Sequence, residues 1–215
     1  MKFKGFKKVK LSGAPEEYIV GSINPTVHRV IAIAGAAGSG KTTLGKNLKR
    51  LFPCAVTMIN VDDYFKYDLV TRMREKISGY NWNSRKQNLF LRQIKNLRQE
   101  KSIRKPIFSY KTQSPKKEKE KIVPKKNIII EGTLDFSKVA DIIIFTWAPD
   151  EVLVNRVVKR GGFQTVFKTR KDLRKHFEEI SILNYRNMLL PHLSKADIIF
   201  DTLNGEVYRK EVKAL

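Results

Sequence analysis

The chain has a single cysteine, Cys54, in 215 residues. One thiol cannot close an intramolecular disulfide or build a zinc site, so the fold does not depend on an oxidising compartment. Histidine is nearly as scarce. His28, His176 and His192 show no metal-ligand spacing and read as structural or surface residues, with His176 nearest the expected substrate side. Long apolar runs are missing as well: residues 30–34 and 128–130 are far short of the roughly 20 needed to span a bilayer. Five lysines fall in the first ten residues, but no apolar stretch follows that would form a signal-peptide core. The expectation is a cytoplasmic protein without membrane insertion. Acidic residues are the last shortage, 21 against 43 basic ones, which gives a net charge of +22 and a sequence pI near 10.1. That imbalance favours phosphates, nucleic acid or acidic surfaces as partners without choosing among them. With 41% hydrophobic and 10% aromatic residues the chain still builds a core, which excludes disorder, collagen and coiled coil for the whole.

What is present is an alternation of short apolar runs with amphipathic segments, the pattern of βα units around a parallel sheet. Residues 29–35, 55–61, 127–130, 141–147 and 196–200 read as five strands, most of them apolar enough to be buried on both faces. Residues 41–51, 85–99, 151–160 and 171–190 read as helices, the last stopped by Pro191. One domain over 1–215 follows, an α/β three-layer sandwich with a mainly parallel five-stranded sheet. Its first 20 residues read as a basic tail leading into an extra strand at 17–20. Residues 105–126, with Pro106, Pro115 and Pro124 flanking a lysine-rich stretch, read as a substrate-side hairpin. Residues 160–174, with the Gly161-Gly162 step and basic residues beyond it, read as a lid.

Gly35-Ala36-Ala37-Gly38-Ser39-Gly40-Lys41-Thr42, followed by Thr43, fits G-x-x-x-x-G-K-[ST] and lies between an apolar strand and a helix. Glycines let backbone N–H groups converge on phosphate oxygens at a helix N-terminus, Lys41 reaches the β/γ-phosphates, and Thr42 helps to hold Mg²⁺. ATP and Mg²⁺ are the expected cofactors. Ligands of such sheets sit at the carboxyl ends of the strands. Two acids fall there: Asp62 in Val61-Asp62-Asp63-Tyr64-Phe65, and Glu131 after the third strand. Asp62 fits a base for an attacking hydroxyl and Glu131 the metal shell, whereas Asp63 reads equally as a helix cap.

These residues resemble the uridine kinase and phosphoribulokinase group of P-loop kinases, which includes nicotinamide riboside kinase and bacterial pantothenate kinase. The resemblance runs from about Arg29 to Thr202 and rests on the phosphate loop, the VDDYF segment, the stretch 80–83 with Trp82 and Asn83, the stretch 106–110, the IIIEG ending at Gly132 and the KADIIFD near the end. It implies that Asp62 deprotonates the acceptor; Tyr64, Trp82, Asn83, Phe108, Tyr110, Gln113 and His176 are the candidate acceptor contacts, with Trp82, Phe108 and Tyr110 reading equally as core packing and His176 as a structural residue. Where the family has an aromatic followed by Asp, this chain has Trp82-Asn83. Where P-V-Y-D-(F/Y)-x-x-H is usual, Phe108, Ser109 and Gln113 replace Tyr, Asp and His. The implied activity is phosphoryl transfer to a small acceptor, a nucleoside first, with nicotinamide riboside or pantothenate as alternatives.

The same resemblance implies that lid arginines close over the ATP phosphates, for which Arg156, Arg160 and Arg170 are candidates; each also reads as part of a solvated basic face. Several family members resemble dimers or tetramers, so a homo-oligomer is compatible. A rival class is a nucleic-acid-binding P-loop protein or polynucleotide kinase, which +22 would serve through phosphate contacts. Against it, the basic residues are spread over tail, hairpin and lid instead of forming an aromatic-interleaved platform. A third reading, a kinase that binds nucleotide without turnover, is opposed by the intact Lys41, Thr42, Asp62 and Glu131.

Overall fold

The computed structural model describes residues 3–23, 27, 29–161, 163 and 166–211. His28, Gly162 and part of the expected lid fall outside them. In chain order the elements are β1 (Phe6–Lys8), α1 (Pro15–Ser22), β2 (Val30–Gly35), α2 (Lys41–Leu51), β3 (Val56–Asn60), α3 (Leu69–Arg74) and α4 (Gln87–Arg98). They continue with β4 (Ile103–Ser109), β5 (Ser114–Ile122), β6 (Asn127–Gly132), β7 (Ile142–Trp147), α5 (Asp150–Arg160), α6 (Arg170–His176), α7 (Ile182–Met188), β8 (Ile198–Asp201) and β9 (Glu206–Lys210).

The seven-stranded sheet has the order β1-β9-β8-β7-β2-β6-β3. From β8 to β3 all neighbours are parallel, and these are the five strands expected from the sequence. All six residues of β2 and of β6 are buried, as a strand covered on both faces requires. Alternation along β2 sends Val30, Ala32 and Ala34 into one core, and Ile31 and Ile33 into the other. The first core takes Phe90, Ile94 and Leu97 of α4 and Leu153 and Val157 of α5. The second takes Leu44 and Leu48 of α2 and Ile19 of α1. Three layers result.

The departures from expectation have local causes. Residues 17–20 are not a strand but the middle of α1: Pro15 sits at its first position, Glu16 and Glu17 lie in the first turn, and Glu17 accepts the Ala14 N–H at 3.3 Å. The extra strand is β1, antiparallel to β9, which is itself antiparallel to β8. The N-terminal segment is also not merely a solvated tail, because Phe3 is buried edge-on against Trp147 and Tyr208. The expected single helix over 171–190 is interrupted by a π turn at Phe177–Ser181 between α6 and α7. The hairpin expected at 105–126 spans β4 and β5, residues 103–122, paired in a separate two-stranded sheet whose lysine-rich strand β5 is mostly exposed. No helix among the described residues is long and apolar enough to cross a membrane.

Candidate active site

β2 delivers the glycine-rich loop to the start of α2 at the carboxyl edge of the sheet. Gly38 and Gly40 have φ of 82° and 86°, the left-handed conformation that glycine adopts without strain. A Cβ on Gly38 would stand 2.5 Å from the Leu153 carbonyl oxygen. Gly35, Ala36 and Ser39 form the buried underside of the loop, and the Ser39 and Thr146 hydroxyls lie 2.6 Å apart beneath it. Ala37, Gly38, Gly40, Lys41, Thr42 and Thr43 line a cavity of about 900 Å³.

Lys41 Nζ donates to the Ala36 carbonyl of its own loop at 2.7 Å. Burial lowers its pKa to about 8, while Glu131 and Asp62 oppose the shift. Glu131 is the penultimate residue of β6, buried and facing Lys41 and Thr42. Its pKa is raised, first by burial, and its Oε2 has no protein partner among the described residues. An orphaned carboxylate oxygen beside a threonine hydroxyl is a hard-oxygen donor set, which fits Mg²⁺; that ion keeps most of its ligands as water and phosphate and takes few from protein.

Asp62 occupies a short 3₁₀ turn after β3, where its N–H donates to Asn60 Oδ1 at 2.9 Å. Its Oδ1 accepts from Arg85 Nη2 at 2.5 Å, and Tyr110 Oη lies 3.4 Å from Oδ2. Arg85 is fully buried and also donates to the Gly79 carbonyl, Ser84 Oγ and Thr133 Oγ1. Asp62 thereby has one oxygen fixed and the other turned to the site. Asp63 does not cap a helix. Its carboxylate takes Lys105 Nζ at 2.6 Å and the Phe108 N–H at 3.0 Å, and so fastens the hairpin to the sheet edge.

A second cavity, of about 490 Å³, adjoins the first, and Asp62, Ala37, Tyr110, Gln113, Thr133 and Arg160 line both. Phe108 and His176 line the second only. The Phe108 ring is buried there, and burial lowers the pKa of His176. Gln113 donates to the Tyr110 carbonyl at 2.7 Å. Arg160 is exposed at the mouth of both cavities. Arg156 lines the first, but its guanidinium is held by Thr202, 2.8 Å from Oγ1 and 3.0 Å from the carbonyl oxygen.

Four expected site residues are not brought here. Tyr64 points into the core, fully buried, and donates to Gln93 Oε1 at 2.7 Å. Trp82 packs on Phe90 and Phe136 with Nε1 donating to the Asp135 carbonyl. Asn83 is exposed in a 3₁₀ turn and Arg170 exposed at the start of α6; neither lines either of these two cavities. Conversely, Arg85, Arg72, Tyr80 and Thr133 escaped the sequence reading. Tyr80 is half-buried, and its hydroxyl accepts the Ala37 N–H of the phosphate loop at 3.3 Å. In a chain of +22 charge nothing local separates Arg72 or Arg85 from other basic residues.

A P-loop at the head of a parallel sheet, with acids at two neighbouring strand ends, defines the class of P-loop nucleotide-binding α/β proteins. The sequence profile of the Phosphoribulokinase / Uridine kinase family matches residues 30–207, and the chain belongs to that family. It is 32% identical over 139 residues to a uridine kinase of Ligilactobacillus salivarius, covering 61% of this chain and 65% of that one. The chain therefore spans just under two thirds of that relative. It is 27% identical over 197 residues to a uridine kinase of Leuconostoc citreum, covering 82% and 93%. In fold it is similar to the phosphoribulokinase of Rhodobacter spheroides, with a TM-score of 0.59 and 14% identity over 81% of this chain and 70% of that one.

Proposed function

We propose that this protein transfers the γ-phosphoryl group of ATP to a hydroxyl of a small acceptor. The observation that carries this reading is the position of Asp62 on the wall shared by the phosphate-loop cavity and the second cavity. A triphosphate cradled by the loop amides and Lys41 directs its terminal phosphorus toward that wall. An acceptor in the second cavity presents its hydroxyl from the other side. Asp62 takes the hydroxyl proton as the oxygen bonds to the γ-phosphorus and the bond to the β–γ bridging oxygen breaks, releasing ADP.

Arg85 holds Asp62 through Oδ1 and positions it, so little reorientation is needed at the moment of reaction. Thr42 and Glu131 would hold Mg²⁺, which supplies charge neutralisation on the phosphate oxygens. Arg160, exposed and lining both cavities, would close on the phosphates. The names of the relatives bring a nucleoside acceptor to this chain as the first candidate. The replacements Asn83, Phe108, Ser109 and Gln113 favour testing other hydroxyl compounds beside it.

The test is coupled ADP release from ATP–Mg²⁺ with uridine, cytidine, nicotinamide riboside, pantothenate and simple sugars. Stimulation by one acceptor supports the reading. ATP binding without stimulation by any acceptor, or activity on polynucleotide ends alone, overturns it.

A further inference from the structure

The wall of the second cavity contains a cation with no hydrogen-bond or ion-pair partner among the described residues. Arg72 is in α3, 8% exposed. Its guanidinium lies 3.6 Å from the Phe65 ring centroid and 5.9 Å from that of Phe108. Stacking of this kind satisfies the flat face of a guanidinium, while its five N–H donors point outward in the plane and need acceptors. Among the described residues none accepts from them. Nε is sealed from water with no hydrogen bond, and no ion pair reaches the side chain.

The carboxylates that could serve are engaged elsewhere. Asp68, four residues earlier in the chain, caps α3 through the Thr71 N–H at 2.7 Å and the Thr71 hydroxyl at 3.1 Å. Asp62 gives Oδ1 to Arg85, whose guanidinium lies against the same Phe65 ring at 4.0 Å, and its Oδ2 lies 3.4 Å from Tyr110 Oη. The charges of Asp62 and Asp68 offset part of the cost of burying this guanidinium from a distance, but a buried arginine with no hydrogen-bonded anion is still costly, and arginine does not escape the cost by losing its proton. The charge around the cavity tilts the same way: among the described residues Arg72, Lys76 and Arg160 line it, with Asp62 as the sole carboxylate.

We infer that Arg72 is the anion-binding residue of the acceptor site, and that the acceptor carries a carboxylate or phosphomonoester within a few bonds of the hydroxyl presented to Asp62. An uncharged nucleoside leaves this guanidinium unpaired in the closed site, and a cationic acceptor opposes it. The inference rests on the kinase reading of the site for the hydroxyl's fate, but not for the binding of the anion.

The test compares neutral and anionic partners of one skeleton: ribose with ribose 5-phosphate, glycerol with glycerate, pantothenol with pantothenate. Binding is measured by calorimetry on the wild-type protein with the phosphate loop filled by a non-hydrolysable ATP analogue, and turnover by ADP release with ATP. A charge-assisted pair at Arg72 makes the anionic member of at least one pair bind about 10- to 100-fold tighter. The phosphate and carboxylate pairs show which anion fits. Arg72→Gln raises KM for the preferred anionic member more than it lowers kcat, erasing the preference, and Arg72→Lys restores part of it. Equal binding within every pair, no binding by any anionic member, or a uridine rate matching the best anionic acceptor overturns the inference. Selective anion binding without ADP release would sustain the inference while overturning the kinase reading. Turnover of neutral acceptors alone would do the reverse.

Discussion

Asp62→Asn separates two duties of one side chain. On the proposed mechanism the carboxylate is the base, a role expected to contribute about 10²- to 10⁴-fold to turnover that the amide cannot supply. Asp62 is also the counter-ion of Arg85, whose side chain is 0% exposed against 22% for that of Asp62, with 2.5 Å between them. Breaking a buried pair from one side costs about 3–5 kcal/mol as a ceiling. Asparagine keeps one oxygen acceptor for Arg85 Nη2, the Gly79, Ser84 and Thr133 oxygens remain, and water reaches the exposed fifth of the side chain. The expected loss is therefore about 1–3 kcal/mol. With a urea slope of about 2 kcal/mol per molar, the unfolding midpoint falls by roughly 0.5–1.5 M. Urea unfolding, ATP-analogue titration and single-turnover ADP formation on the same preparation give the three readouts. The variant should be folded, bind nucleotide and turn over at least about a hundred times more slowly. Turnover within about threefold of wild type in the folded variant refutes the base assignment. An unchanged midpoint refutes the account of Arg85.

Other outcomes follow from the same geometry. Lys41, lowered by burial to about 8, loses its proton in the free protein between pH 7 and 9 and regains it against a bound triphosphate. ATP affinity should fall about tenfold across that range with proton uptake on binding near pH 8, and a flat affinity contradicts this. The sign for folding is opposite: the cost of burying the charge is present in full below about 8 and is relieved as pH rises toward 10.5, so this group favours the empty fold at alkaline pH. Glu131→Gln should raise the Mg²⁺ concentration needed for half-maximal turnover about 10- to 100-fold, and an unaltered magnesium titration would remove Glu131 from the metal shell. Gly132→Ala would place a Cβ 1.9 Å from Val61 Cγ1 and 3.3 Å from Phe136 Cζ, costing about 1–3 kcal/mol in urea unfolding; wild-type stability would show that this contact relaxes freely.

How much was legible in the sequence depends on how local each signal is. The phosphate loop is eight consecutive residues whose chemistry and flanking elements are all in one window, and the five parallel strands declare themselves as apolar runs. Asp62 and Glu131 followed from the rule that strand ends meet the ligand. Where a short segment's state is set by a distant partner, the reading failed. β1 is three residues stabilised by β9 some 200 positions away, whereas α1, also short, carried its proline and acidic first turn in a pattern read as strand. Tyr64 lies two residues after Asp62, yet the 3₁₀ turn directs it into the core toward Gln93. Arg85 and Arg72 matter through a ring and a carboxylate assembled only by folding, against a background of 43 basic residues.

The two cavities meet at Asp62, and the proposed reaction passes phosphate from the occupant of one to the occupant of the other. The direct test is to follow label from the terminal phosphate of ATP in the presence of the acceptor pairs and nucleosides named above. Label recovered in an acid-stable phosphoester of one acceptor, in step with ADP, is the expected result. Label found only in inorganic phosphate, at a rate that no acceptor changes, in protein that binds ATP, would contradict it.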